Sequence, residues 1–277
     1  MEFLKAAFSG IIQGLTEFLP VSSSGHLALF NNFFGFDVDG DFILFALILH
    51  LGTLLAVFIA FAKDIKELFT AFLNIVVKVF TGKFKYECLE AYERFVILVF
   101  IATLPLVIGA FIEGYIEAAA HNTRIVGVLL LVNAAILLFS DRIHSYNYKT
   151  EKDATRKNAL IVGLVQIIGV FPGVSRSGAT ITGGLLNGFT REFAVKFSFI
   201  LSIPAIIGAS VFHFADFARS GEEVTRGLAV NSAIGFLFSF AFGLGAIMLL
   251  RFIAKKRRFY IFSIWCAIVG ILALIFG

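Results

Sequence analysis

Apolar residues run in stretches of about 20 along most of the chain, the length that spans a bilayer's hydrocarbon core, and short polar segments separate them. The full-length stretches lie at 42–62, 95–113, 123–140, 193–217, 229–250 and 259–277. None alternates with the period of two that a membrane barrel needs. In hydrocarbon every backbone amide must find a partner within its own segment, so the pattern predicts about six full helical spans. Residues 65–80 (IKELFTAFLNIVVKVF) are more amphipathic and predict an interfacial or short extra helix.

Two regions depart from this pattern. Segments 3–18 and 158–170 are apolar but short, and each runs into a proline, Pro20 or Pro172, followed by Ser and Gly. A second short apolar piece comes after each, at 26–35 and 178–189. Short, interrupted segments at corresponding places in two halves point to re-entrant broken-helix hairpins that carry a binding site. The halves correspond in order: Gly14-Leu15-x-Glu17 with Gly163-Leu164-x-Gln166, the Pro20 stretch with the Pro172 stretch, and 48–52 with 200–204. The expected fold is therefore an all-α polytopic membrane protein in one domain, 1–277. It comprises inverted-topology repeats at approximately 1–113 and 123–250 plus a C-terminal span at 259–277.

Composition removes the soluble alternatives. Apolar residues make up 59% of the chain and charged residues 15%, with a mean hydropathy of +0.93. A soluble domain carries about 25% charged residues. The formal charge of +4 matters less than its distribution. Lys and Arg gather in the loops 63–94, 141–157 and 251–258, which share one face if each hairpin enters and leaves on the same side. Loop 114–122 carries Glu117 and no Lys or Arg, while 219–226 mixes Arg219 and Arg226 with Glu222 and Glu223. The positive-inside rule makes the first face cytoplasmic, so both termini lie outside and the hairpins enter from opposite sides. Membrane lipids, and no nucleic acid, are the expected surroundings. Gln13 and Glu17 interrupt the place where a cleavable leader's apolar core would lie. Cys88 and Cys266 have no metal or redox spacing.

The two breaks hold the candidate chemistry. In QGLTEFLPVSSSGHL, Gln13 and Glu17 are four apart and share a helix face. Pro20 pushes Leu19 out of helical geometry, so the first helix ends there. Ser22, Ser23 and Ser24 offer hydroxyls at the next helix start, where free N–H groups and the dipole favour phosphate. His26 follows within a turn as a proton donor or acceptor. In PGVSRSGAT, Arg176 stands between Ser175 and Ser177, with Thr180 beyond. Its guanidinium matches phosphate oxygens in pairs, and at membrane depth it requires an anion or a polar cavity.

A Pro-Ser-Gly break alone reads as a kink, and a lone Glu or Arg as half of a structural pair. Two matched breaks carrying Glu, His, Arg and several hydroxyls read better as a polar site. His50 divides between support for that site and interhelical glue; Asn133 reads as glue, His121 and His144 as loop residues, and His213 as structural. Lys255-Lys256-Arg257-Arg258 is a topology signal, with anionic lipid as a lesser option. From these residues alone a lipid enzyme and a secondary transporter or flippase for an anionic substrate both stand, with a non-enzymatic lipid binder as a third reading.

QGLTEFLPVSSSGHL together with PGVSRSGAT resembles the undecaprenyl-diphosphate phosphatase, or bacitracin-resistance, family. HLGTLLAV, TREFAVKFSFILSIPAIIGA and the chain length resemble it as well. The resemblance implies hydrolysis of undecaprenyl diphosphate, a polyprenyl diphosphate lipid, at a plasma-membrane site facing outward with a divalent cation, Mg2+ or Ca2+. It implies Glu17 with Gln13 at the metal or managing protons, and Ser23 as nucleophile with His26 as base or rival nucleophile. Arg176 would hold the diphosphate, assisted by Ser175, Ser177 and Thr180. The oligomeric state, a homodimer included, is left open.

Overall fold

The computed structural model describes residues 2–34, 42–143, 148–220, 224–256 and 258–277. His144, Glu222, Glu223 and Arg257, singled out above, lie outside the described residues. The first half opens with α1 (Glu2–Phe18), breaks, and continues as α2 (Ser23–Phe34) before the apolar α3 (Phe42–Ala60). Next comes α4 (Ala62–Phe80), bent by 90° from the helix before it. The chain then passes through α5 (Ala91–Thr103), a 3-10 turn at Leu104–Leu106, α6 (Val107–Phe111), α7 (Glu113–Ala120) and α8 (Thr123–Arg142). The second half repeats the opening, with α9 (Arg156–Ile168), a break and α10 (Arg176–Leu186), then α11 (Arg191–Ser220), α12 (Arg226–Lys255) and α13 (Tyr260–Phe276). The molecule is an all-α polytopic membrane protein.

All six predicted spans form helices. Among the described residues, 91–109, Thr123–Arg142, Arg191–Arg219 and Arg226–Lys255 are long and apolar enough to cross a membrane singly. Leu44–Ala60 joins this group only together with its bent continuation, and α13 is apolar but has 17 residues. The amphipathic 65–80 segment is α4, and polar contacts on two neighbours hold its sideways course. Lys78 Nζ donates to the buried Glu93 carboxylate of α5 at 2.5 and 2.7 Å. Lys196 Nζ of α11 lies 2.6 Å from Asp64, which also accepts from the Tyr92 hydroxyl at 2.9 Å.

Helix caps follow the sequence. Asn122 accepts from the N–H groups of Arg124 and Ile125, Thr155 and Asn158 form a capping box, and Thr225 caps α12. Apolar burial adds no preference for one helix neighbour over another in lipid, so close backbone approach decides packing. A Cβ on Gly10 would lie 2.5 Å from the Gly235 carbonyl, and one on Gly14 2.6 Å from the Ser239 carbonyl. On the third helix of this group, Leu49 C=O accepts from Ser239 Oγ at 2.9 Å, and Ala56 packs at Gly243. Residue numbers rise together across these contacts, so α1, α3 and α12 run in one direction. Gly127 and Gly270 form a similar glycine contact between α8 and α13. Ser263 Oγ bonds Ala134 C=O and the Tyr260 N–H bonds Asp141, which makes that pair antiparallel.

Candidate active site

The breaks that interrupt the two short helices meet inside the bundle. After α1 the chain turns through Ser22, whose φ is 74°, the one non-glycine positive φ among the described residues. Ser22 Oγ accepts from its own helix start at Gly25 N–H (3.2 Å) and from Gly173 N–H of the other break (3.0 Å). Gly173 has φ 111°, and Gly25 lies so close that a Cβ there would be 2.7 Å from the Gly173 nitrogen. Pro20 also packs beside Gly178. Between the two breaks sits Asn133 of α8, fully buried. Its Nδ2 donates to Pro20 C=O (2.9 Å) and Cys266 Sγ (3.3 Å), and its Oδ1 accepts from Ser175 N–H (3.1 Å).

This joint brings the predicted charges together. Glu17, in the last turn of α1, is buried with its carboxylate at the centre of the cluster. Oε1 accepts from Arg176 Nη2 at 2.5 Å, a pairing across 159 positions of sequence. Oε2 accepts from Ser23 Oγ at 2.6 Å and from Gln13 Nε2 at 3.0 Å, with His50 Nε2 at 3.7 Å. His50 is thus placed against Glu17, while its other ring nitrogen bonds Ala46 C=O at 2.7 Å. The sequence left that role undecided; only its matching offset in the two halves hinted at it.

The remaining predicted residues divide. Ser175 caps α10 by accepting from Gly178 N–H, and its hydroxyl lies 3.0 Å from that of Ser177. Thr180 bonds back to Arg176 C=O and pairs with Ser198 at 2.7 Å. These buried hydroxyls, like Ser22, hold the frame of the breaks together. Ser24 is exposed. His26 is turned elsewhere: Nδ1 lies 2.8 Å from Ser22 C=O, and Nε2 accepts from the Trp265 indole N–H at 2.9 Å. The hydroxyl of Ser23 meets Glu17 and not His26.

For a hard cation the donors present are oxygens, the Glu17 carboxylate and the buried Gln13 Oε1, which has no protein partner. No group of three or more His, Cys, Asp or Glu is placed to hold a metal among the described residues. One carboxylate and one amide oxygen suit an ion whose other ligands come from a diphosphate. The donor set fits Mg2+ or Ca2+ on those terms. An apolar cavity of about 330 Å³ lies between the starts of α3 and α12 and the end of α11, lined by residues such as Leu44, Ile48, Phe214 and Leu228.

The family model described as bacitracin resistance protein BacA matches residues 6–272. The chain belongs to the BacA family. A protein of Methanosphaera stadtmanae named undecaprenyl-diphosphatase is 41% identical over 99% of this chain and 98% of its own length. Relatives with the same name in Alkaliphilus metalliredigens and Korarchaeum cryptofilum are 40% and 38% identical, over 100% and 98% of this chain and 99% and 98% of their own lengths. Both breaks fall within the BacA match, so the joint at Glu17 and Arg176 is built from the family's segment.

Proposed function

We propose that this chain is an undecaprenyl-diphosphatase, which converts undecaprenyl diphosphate and water to undecaprenyl phosphate and inorganic phosphate. In that role it recycles the lipid carrier for cell-wall synthesis and confers bacitracin resistance. The observation that carries the reading is the Ser23–Glu17–Arg176 constellation, in a chain whose full-length relatives bear that name. A serine hydroxyl bonded to a carboxylate, with a guanidinium on the same carboxylate, supplies a nucleophile, a base and an anion clamp.

Arg176 exchanges Glu17 Oε1 for oxygens of the incoming diphosphate, in the paired geometry that a guanidinium favours. Ser23 Oγ attacks the terminal phosphorus and Glu17 Oε2 takes its proton. The Oγ–P bond forms as the bond from phosphorus to the bridging oxygen breaks, and the electron pair leaves with undecaprenyl phosphate. Once Glu17 has passed the first proton to solvent, it takes a proton from the water that attacks the phosphoserine; the Oγ–P bond breaks, Glu17 returns that proton to Ser23 Oγ, and inorganic phosphate departs. Glu17 and Gln13 Oε1 would hold a divalent cation, which supplies charge neutralisation at the diphosphate. His26 is held by Ser22 C=O and the Trp265 indole and takes no proton in this scheme.

The parallel course of α1, α3 and α12 and the matched breaks support the reading of the halves as inverted repeats. With the basic loops cytoplasmic, the starts of α3 and α12 and the apolar cavity between them lie on the outer side, and we read the site as opening that way. The apolar cavity beside Ile48 suits part of a branched hydrocarbon tail. Phosphate release from undecaprenyl diphosphate by purified protein in detergent tests the reading. Turnover abolished by Ser23→Ala and lowered by orders of magnitude by Glu17→Gln supports it, whereas a well-folded wild type that releases no phosphate overturns it.

A further inference from the structure

We propose that Asn133 is a positioning residue of this site: by bonding both broken helices at once, it sets the distance between Glu17 and Arg176. The inference rests on the phosphatase reading for its kinetic consequence, but the underlying geometry stands apart from it.

The two charged groups belong to different halves of the chain, and each sits beside a break. Pro20 follows Glu17 by three residues, and Ser175 immediately precedes Arg176. At those two points the backbone has left the helix, so the Pro20 carbonyl and the Ser175 N–H have no intrahelical partner. Asn133 satisfies both, with Nδ2 at 2.9 Å from the carbonyl and Oδ1 at 3.1 Å from the nitrogen. The second proton on Nδ2 goes to Cys266 Sγ of α13 at 3.3 Å. All three bonds are internal, since the residue is fully buried.

The chemistry of the position is specific to an amide. One end must donate to a carbonyl and the other must accept from an N–H, within the span of one short side chain. Aspartate would turn a lone pair toward the Pro20 carbonyl, and leucine, of similar bulk, would leave both backbone groups unpaired in an apolar interior. The other links across the joint are the Gly173–Ser22 bond, a 3.4 Å contact from Ser177 Oγ to Leu19 C=O, and the packing of Pro20 and Gly25. None of these comes from a third helix. α8, itself seated on α13 through Gly127 and Gly270, also packs on Gly173 through Val126 and Leu129, and Cys266 of α13 reaches Val21 C=O; Asn133 is the side chain by which α8 hydrogen-bonds both breaks at once.

Positioning of this kind is read in turnover, because displacing a reacting group by about 1 Å can cost roughly a hundredfold in rate. The test takes Asn133→Ala and Asn133→Ser in purified full-length protein, beside Cys266→Ala, which removes the third bond and the 3.9 Å contact from Cys266 Sγ to Val21 C=O but leaves both Asn133 bonds to the breaks. Two measurements are made: phosphate release from undecaprenyl diphosphate, and hydrogen–deuterium exchange of peptides covering 19–25 and 172–178. The expected result is a fall in kcat of about 10- to 100-fold, with exchange at both breaks at least tenfold faster and the rest of the bundle unchanged. Cys266→Ala should keep both near wild type. In a Glu17→Gln background, Asn133→Ala should cost little more, since the two act through one arrangement. Unchanged exchange at the breaks, or a kcat loss that simply adds to that of Glu17→Gln, overturns the proposal. If Asn133→Ala does not fold, Asn133→Ser carries the test. A wild type without turnover would sink the phosphatase reading alone, and the exchange arm would still decide whether Asn133 fixes the joint.

Discussion

Gly173 donates its backbone N–H to the Ser22 hydroxyl across 151 positions of sequence, and both residues hold positive φ angles. A joint built from two such backbones tolerates little substitution. Gly173→Ala adds a Cβ 2.7 Å from Leu129 Cβ and from the Val126 carbonyl, and the left-handed conformation itself costs about 1–3 kcal/mol for a residue with a side chain. It should lower the melting temperature in detergent and abolish phosphate release. Ser22→Gly relieves the strain at φ 74° but loses the hydroxyl, so it should be the more stable of the two and still impaired in turnover.

The partners of Ser23 and His26 predict different phenotypes for the two residues. Glu17→Gln removes the base and should lower kcat by about 10²- to 10⁴-fold. Ser23→Ala should abolish turnover, while His26→Ala should cost less, and Trp265→Phe should resemble His26→Ala. A phosphoenzyme trapped by rapid quench should withstand acid and break in alkali, as a phosphoserine does. An acid-labile species would transfer the nucleophile's role to His26.

Arg176 and Glu17 form a mostly buried pair, and the consequences separate stability from catalysis. Arg176→Ala leaves the Glu17 charge uncompensated, which should cost about 3–5 kcal/mol on denaturation. Pairing it with Glu17→Gln should restore much of that stability and none of the activity. Arg176→Lys keeps a charge but loses the fork, and kcat/KM should fall by about 10²- to 10³-fold.

Chelation should abolish phosphate release, and either Mg2+ or Ca2+ should restore it. Gln13→Leu removes the partnerless Oε1, so the cation concentration needed for half-maximal rate should rise. An unchanged titration would take Gln13 out of the cation site.

Glycines on α12 and its neighbour predict opposite signs. Gly14→Ala drives a Cβ to 2.6 Å from the Ser239 carbonyl and should destabilise the protein. Gly245→Ala meets nothing within 4 Å and should stabilise the helix by about 0.5–1 kcal/mol. Thermal unfolding of the two variants in one detergent checks both.

The sequence showed most of the site because its residues violate the rules of their surroundings. Glu17 and Arg176 are charges at membrane depth, and Pro20 and Pro172 break helices that ought to continue. Those signals are local, so they survive without a structure. The orientation of His26 was hidden for the opposite reason: it depends on Trp265, 239 residues away, and on the register of α13 against α2. Asn133 reads as ordinary interhelical glue because a single amide in a span carries no sign of what it bonds. His50 was ambiguous in the same way. At the fold level apolar length gave the spans, but the 90° turn at Phe61 follows from contacts such as Lys78 with Glu93, which no periodicity reveals.

The seam of Gly10 and Gly14 against Gly235, Ser239 and Gly243 limits how the molecule can move. An axial slip of one residue is about 1.5 Å, and the added Cβ distances of 2.5 and 2.6 Å show that the backbones have no such clearance sideways to ride over one another. The helices α1, α3 and α12 therefore travel as one slab in any breathing of the bundle. Glu17 is carried on that slab, so its height in the bilayer is fixed relative to three helices at once. A lipid headgroup must rise or sink to that level to react, and the depth of the chemistry is set by Gly10 and Gly14, earlier on the helix that carries Glu17.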